Sequence, residues 1–193
     1  GTMPTVSIFL VRLGHTLESV EKTCVDDAGK LTTKTDGACR LPGYRLRFRD
    51  GKTGIHKELI YISARIEDSL FSPDIPEGKF FRSLGKSSVM MKAAVYLLHS
   101  PKYRQAAQYV LDHADVVIQD DSGLPYRYFE ESAWNTELYG AFVGPPHMSG
   151  IEFYPQPDLV KAFREKAGPL PFEFGYGQVS ASKKSGMIVA YKK

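Results

Sequence analysis

Tyr44, Leu46 and Phe48 alternate with Arg45, Arg47 and Arg49, and Asp50-Gly51-Lys52-Thr53-Gly54 then breaks the run before Leu59-Ile60-Tyr61-Ile62-Ser63-Ala64-Arg65-Ile66. Two-residue alternation marks a strand with one face on a core, and a glycine-containing break between two such runs turns the chain back on itself. A β-hairpin is therefore expected here, and any fold for this chain must include antiparallel sheet. The three arginines fall on one strand face. Such a stripe suits phosphate or carboxylate, but a solvated face paired across to Glu58 accounts for it more simply.

The rest of the chain mixes helix and strand signals. Val6-Ser7-Ile8-Phe9-Leu10-Val11-Arg12-Leu13, bounded by Gly14, suits a short helix stopped by glycine or a buried strand, with helix preferred. Residues 16–25 are strand-like, Asp26-Asp27-Ala28-Gly29-Lys30 is turn chemistry, and 32–37 has loop composition. A loop with Pro73, Pro76 and Gly78 leads into residues 79–84. The Ala- and Met-rich run 89–99 favours a further helix. Ser100-Pro101 then sets a cap and a first-turn proline, followed by Tyr103, Ala106, Ala107, Val110 and Leu111 as one apolar stripe.

Ala114-Asp115-Val116-Val117-Ile118 reads as a buried strand, and Asp120-Asp121-Ser122-Gly123 as a hairpin turn before an antiparallel strand over 124–129. A second short helix is expected from Pro157-Asp158, carrying Leu159, Val160 and Phe163 and ended by Gly168-Pro169. Phe172-Glu173-Phe174-Gly175-Tyr176-Gly177 and Met187-Ile188-Val189-Ala190-Tyr191 are two further strand candidates. Strands in hairpins with helices between them, and no repeated βαβ rhythm, predict an α+β fold: an antiparallel or mixed sheet with a few packed helices. The expected organisation is one α+β domain over 1–193, as one part of a larger protein.

Composition excludes some functions. At 193 residues, with 42% apolar residues, the chain can bury a core. Its 25 basic and 22 acidic side chains lack the clustered basic excess of a nucleic-acid binder. No run reaches the roughly 20 apolar residues needed for a transmembrane segment, because Lys92, His99 and Asp115 interrupt the longest ones. Gly1-Thr2-Met3-Pro4 has no basic segment ahead of an apolar core, and reads as a start from which a natural signal or upstream domain has been removed. Cys24 and Cys39, without a CxxC pair or a histidine doublet, make a poor zinc site. They suit a disulfide if the compartment is oxidising. No metal and no cofactor is expected.

Chemistry-capable side chains crowd in one stretch, Val116-Val117-Ile118-Gln119-Asp120-Asp121-Ser122-Gly123-Leu124-Pro125-Tyr126-Arg127-Tyr128-Phe129. Asp120, Asp121, Ser122, Tyr126, Arg127 and Tyr128, joined by Tyr139, form the candidate ligand-binding set, with Trp134 and Tyr154 as further aromatic surface. Tyrosines give rigid amphipathic faces, and Arg127 with Asp121 gives directional hydrogen bonds, a mix suited to a small molecule, a glycan, a peptide or a protein partner. The plainer reading is that Asp120 to Gly123 make a tight turn, Arg127 pairs with one of those acids, and the tyrosines pad the sheet.

A hydrolase using Asp120 or Asp121, Ser122 and one of His99, His113 or His147 is the alternative. Against it, adjacent aspartates on a strand point to opposite faces, and Ser122 lacks the G-x-S-x-G elbow. A third reading is an assembly role whose interface hides the same aromatics. Lys92, inside an apolar run, either has its pKa depressed by burial or, more simply, runs its stem along the core edge and takes its ammonium to solvent.

The chain also resembles the second half of an uncharacterised family of bacterial proteins read as secreted or lipoprotein-like. The resemblance rests on Pro42-Gly43-Tyr44-Arg45-Leu46-Arg47-Phe48-Arg49, on Lys92-Ala93-Ala94-Val95-Tyr96-Leu97-Leu98-His99, and on Gln119 through Phe129. It continues through Tyr139-Gly140, Gly144-Pro145, Gln156-Pro157-Asp158-Leu159 and Phe174-Gly175-Tyr176. It implies an extracytoplasmic or envelope protein with a two-part site; in the hydrolase alternative that site is completed by the partner half or by a second copy in a homodimer. It transfers no catalytic residue.

Overall fold

The structure is a computed structural model, and it describes residues 2–33, 39–92, 96–142, 144, 154–170 and 186–193. The fold is α+β, with two four-stranded sheets, one antiparallel and one mixed. The chain divides into two compact units, Gly1–Ser83 and Leu84–Lys193, each with its own sheet. Among the described residues no helix is long and apolar enough to cross a membrane.

The first unit opens with helix α1, Thr2–Arg12. Gly14 stops it at φ +85, with Gly14 N–H bonded to the Val11 carbonyl and His15 N–H to the Leu10 carbonyl. Those two bonds satisfy carbonyls that the last helical turn leaves unpaired, and a glycine takes the left-handed position at no steric cost. Strands β1 (Thr16–Val25), β2 (Leu31–Thr32), β3 (Leu41–Arg49) and β4 (His56–Ile62) form a sheet in the order β2-β1-β3-β4. The expected hairpin is β3–β4, with Leu46 opposite Leu59 and Arg47 opposite Glu58.

One face of this sheet packs Leu46 and Phe48 against Met3 and Leu10 of α1. Helix α2, Pro76–Ser83, covers Val25 and Leu41 with Phe80. The arginine face is charge-matched: Arg47 lies 3.0 Å from Glu21 and 3.4 Å from Glu58, and Arg45 lies 3.3 Å from Glu58. Cys24 and Cys39 are joined by a disulfide, with 5.6 Å between their Cα atoms.

The second unit contains β5 (Ser87–Met91), α3 (Arg104–His113), β6 (Ala114–Gln119), β7 (Trp134–Gly140), α4 (Pro157–Lys166) and β8 (Gly186–Lys192). Strand order is β5-β6-β8-β7, with β5 and β6 parallel and the other pairs antiparallel. The Ser100 side chain accepts from Lys102 N–H and Pro101 follows it, as expected of a helix start, although the first turn is 3-10 before α3 begins. Leu138 and Ile188 pack under Leu159, Ala162 and Phe163 of α4. Met187 and Val189 line the opposite face with Val116, Ile118 and Tyr139.

The structure departs from two expectations. The run 89–99 is not one helix: its start lies in β5, and Leu97–His99 is a 3-10 turn. Apolar Val89-Met90-Met91 finds a parallel partner in Val117 to Gln119, and that tertiary pairing overrides Ala/Met helix propensity. Nor do 116–129 form a hairpin. β6 pairs with β5 and β8, while Tyr126–Tyr128 is a 3-10 turn. Asp and Ser favour any tight turn, so their presence does not specify a return strand. The strand candidate 172–177 and His147 lie outside the described residues.

Candidate functional site

Met91 and Gln119 are the last paired residues of the parallel strands, so β5 and β6 release the chain side by side at their carboxyl ends. In sheets with parallel strands this end is where ligand sites form, because loops diverge there above a fixed frame. Continuing the register brings Lys92 to Asp120, and the lysine Nζ donates to Asp120 Oδ2. Its ammonium is therefore held by a buried carboxylate, while the lysine side chain keeps 24% of its surface exposed. Asp120 Oδ1 accepts from Ser122 N–H at 2.9 Å and from the Ser122 hydroxyl. These bonds match the negative charge of Asp120 and fix the first turn of the loop.

Two buried glutamine amides hold the remainder of the loop. Gln119 donates from Nε2 to the Leu124 carbonyl at 2.8 Å, and its Oε1 accepts from Leu124 N–H at 2.9 Å. Gly123 lies against this amide: a Cβ there would stand 2.5 Å from Gln119 Oε1. The glycine is thus required by close approach, rather than by a hairpin's backbone angles. Gln156, just before α4, donates to the Asp121 carbonyl at 2.9 Å and accepts from Tyr126 N–H at 3.1 Å. A loop clamped by two amides is preorganised, so its side chains are ordered before any ligand arrives.

Asp121 differs from its neighbour. The Tyr96 hydroxyl donates to Asp121 Oδ2. Burial pushes the Asp121 carboxyl above the usual range, and the adjacent Asp120 adds to the shift. Burial and then the Asp121 bond push the Tyr96 phenol up in turn. Tyr96 also has φ +51, and it is the non-glycine residue with a left-handed backbone among the described residues. That conformation is costly for a bulky side chain, and such strain concentrates at functional sites.

His99 sits next to this pair, its ring 5.2 Å from Tyr96 edge-on and 6.1 Å from Tyr154. It is 6% exposed, and neither ring nitrogen has a hydrogen-bond partner. Burial first, and the Arg127 charge second, lower its pKa to about 4. The backbones of Gly123 and Asp121 favour the charged ring, but neither meets hydrogen-bond geometry with it. At neutral pH the imidazole is uncharged.

Of the sequence-derived set, Asp120, Asp121, Ser122 and Arg127 come together here with His99 and Lys92. Arg127 is exposed, and its guanidinium carbon lies 5.4 Å from the half-buried Tyr128 ring. Tyr126 turns away, its hydroxyl 3.2 Å from Thr136 Oγ1 and its ring against the α4 core. Tyr139 lies on the opposite sheet face. Gln119 and Leu138 both pair with Ile188, whereas Tyr139 pairs with Met187 and bonds Glu137 at 2.7 Å. Trp134 is buried against Phe129, and His113 stacks on Tyr109.

Tyr96, Gln119 and Gln156 were not picked out as functional by the sequence. All three stand within the motifs that carry the family resemblance, and Gln119 left a further trace as a polar residue ending an apolar strand. Among the described residues no group of three or more His, Cys, Asp or Glu is placed to hold a metal. No protein-family model, no curated protein and no solved structure matches this chain.

Proposed function

We propose that residues 84–193 form a non-catalytic ligand-binding module whose site is the loop at the carboxyl ends of β5 and β6. One observation carries this reading: of two adjacent aspartates, Asp120 is saturated by Lys92 and Ser122, while Asp121 keeps a desolvated carboxyl beside an unpartnered imidazole and an exposed arginine. Internal pairing explains the first acid, and a ligand explains why the second is retained in a place that penalises its charge. The hydrolase alternative has less support, because the Ser122 hydroxyl donates to Asp120 and His99 bonds no hydroxyl. The disulfide supports an extracytoplasmic setting, in keeping with the resemblance to a bacterial envelope family.

The test is a thermal-shift screen of the chain against sugars, nucleotides, peptidoglycan fragments, peptides and metals. A ligand at 100 times its Kd stabilises by about 2.7 kcal/mol. Arg127→Ala should abolish that shift with little loss of melting temperature, since the side chain is exposed. Equal and large destabilisation by Arg127→Ala and Asp121→Ala would mean that both residues serve packing, and would overturn the proposal.

A further inference from the structure

His99 carries a demand that the protein itself leaves unmet. It is 6% exposed, and both of its ring nitrogens lack partners. Buried polar groups are almost always hydrogen-bonded, so an unmatched one points to a group that arrives from outside. The surroundings restrict what that group can be. An uncharged imidazole offers one N–H and one lone pair, and a hydroxyl both donates and accepts.

Other ligand classes fit less well. A carboxylate or phosphate only accepts, so it would match the imidazole N–H and leave the ring's lone pair without a donor. A metal ion would meet Arg127, whose charge already acts on this ring. The remaining polar groups alternate in kind: Asp121 accepts and the Arg127 guanidinium donates. Tyr96 is buried edge-on against the imidazole, the half-buried Tyr154 supplies apolar ring surface 6.1 Å from it, and the Gln119 and Gln156 amides hold the loop rigid. Mixed donors and acceptors on a rigid loop beside aromatic rings match a molecule with hydroxyls on one side and C–H groups on the other.

We infer that the site takes an uncharged sugar, with His99 hydrogen-bonding a sugar hydroxyl. The inference rests on the ligand-binding reading above and names the ligand class of that same site. The experiment applies the full chain to a glycan array that spans uncharged pentoses, hexoses, deoxyhexoses and N-acetylhexosamines together with uronate, sialylated and phosphorylated glycans. Retention on uncharged glycans is expected, and calorimetry with a retained mono- or disaccharide supplies the affinity.

His99→Phe keeps an aromatic ring in place but removes both nitrogens. It should weaken that affinity about tenfold or more, with the melting temperature unchanged or raised. If this variant does not fold, the ring 15N shifts of His99 in the unaltered chain decide the matter, since the sugar should move them. Retention on acidic glycans alone, retention on none, an unchanged affinity in His99→Phe, or unmoved ring shifts would each overturn the inference. The two readings fail separately. Stabilisation by a peptide or nucleotide that Arg127→Ala abolishes would keep the binding module and remove the sugar, whereas no stabilisation by any class in the earlier screen would remove both.

Discussion

Asp50 and Asp120 each follow a strand, and each closes a turn in the same way, yet their neighbourhoods differ. Asp50 accepts from Lys52 and Thr53 N–H at 3.0 and 2.9 Å and from the Lys57 ammonium at 2.6 Å. Asp120 accepts from Ser122 N–H at 2.9 Å, from the Ser122 hydroxyl and from the Lys92 ammonium. Around Asp50 the neighbouring histidine is itself partnered, since His15 Nδ1 lies 3.9 Å from the carboxylate and accepts from Gly51 N–H at 3.2 Å; Lys57 above all, then the backbone N–H groups, hold the carboxyl well below its usual range. Next to Asp120 stand a second carboxyl pushed upward, a tyrosine with a strained backbone and a histidine without partners. A turn aspartate is therefore a structural device in both units, and the polar groups left over beside it are what distinguish a site.

Removing the lysine partners should break the comparison most sharply. Lys92→Met leaves Asp120 buried without its cation and should cost about 3–5 kcal/mol, as for other broken buried pairs. Lys57→Met should cost far less, because the Lys57 side chain is 48% exposed against 24% for Lys92, and water can replace it. The single tryptophan, Trp134, is buried in the second unit, so its fluorescence reports the Lys92 effect directly. A Lys92→Met transition at the wild-type midpoint would place Asp120 outside the structural role.

The unit around Asp50 has a covalent tie among its described residues. Replacing Cys24 and Cys39 with serine reopens a loop with a sequence separation of 15, worth about 3 kcal/mol on the chain-entropy account. Chemical denaturation with and without reductant measures it, and reductant should have no further effect on the double serine variant. Stability that is insensitive to both treatments would mean that the β1–β3 packing alone fixes this region.

Acid should act on the second unit through His99, with a smaller effect. Between its ordinary value of 6.5 and about 4, the folded ring holds fewer protons than the unfolded one. Stability is thus complete above pH 6.5 and falls as the solution is acidified toward pH 4. Asp121 works in the opposite sense, because burial raises its carboxyl above the usual range and protonation relieves its buried charge. The Trp134-monitored unfolding free energy should decline over this window in the wild type and decline less in His99→Phe. Equal slopes would assign the acid sensitivity to other groups.

Much of the fold was legible where the signal is local. The β3–β4 hairpin follows from Tyr44, Leu46 and Phe48 alternating with arginines ahead of Asp50-Gly51, and the start of the α3 region from Ser100-Pro101. β5 was not legible. Val89-Met90-Met91 is too short to show a period, and its partner is fixed only once the crossover through α3 sets β6 beside it. The same holds for the site. Asp120, Asp121, Ser122 and Arg127 were visible as a cluster, but their division of labour depends on register, which brings Lys92 to Asp120, and on a loop that brings Tyr96 and His99 to Asp121. Tyr126 and Tyr139 looked equivalent to Arg127 in sequence, and only the sheet shows that they face elsewhere.

The most direct test of this division compares Asp120→Asn with Asp121→Asn by urea denaturation at pH 7, read through Trp134. Asp120→Asn removes the charge that matches Lys92 and should lower stability by about 3 kcal/mol or more. Asp121→Asn removes a charge whose burial is unfavourable, while its amide oxygen can still accept from Tyr96, so stability should hold or rise. If Asp121→Asn destabilises as much as Asp120→Asn, the two acids share one structural role and the account of the site is wrong.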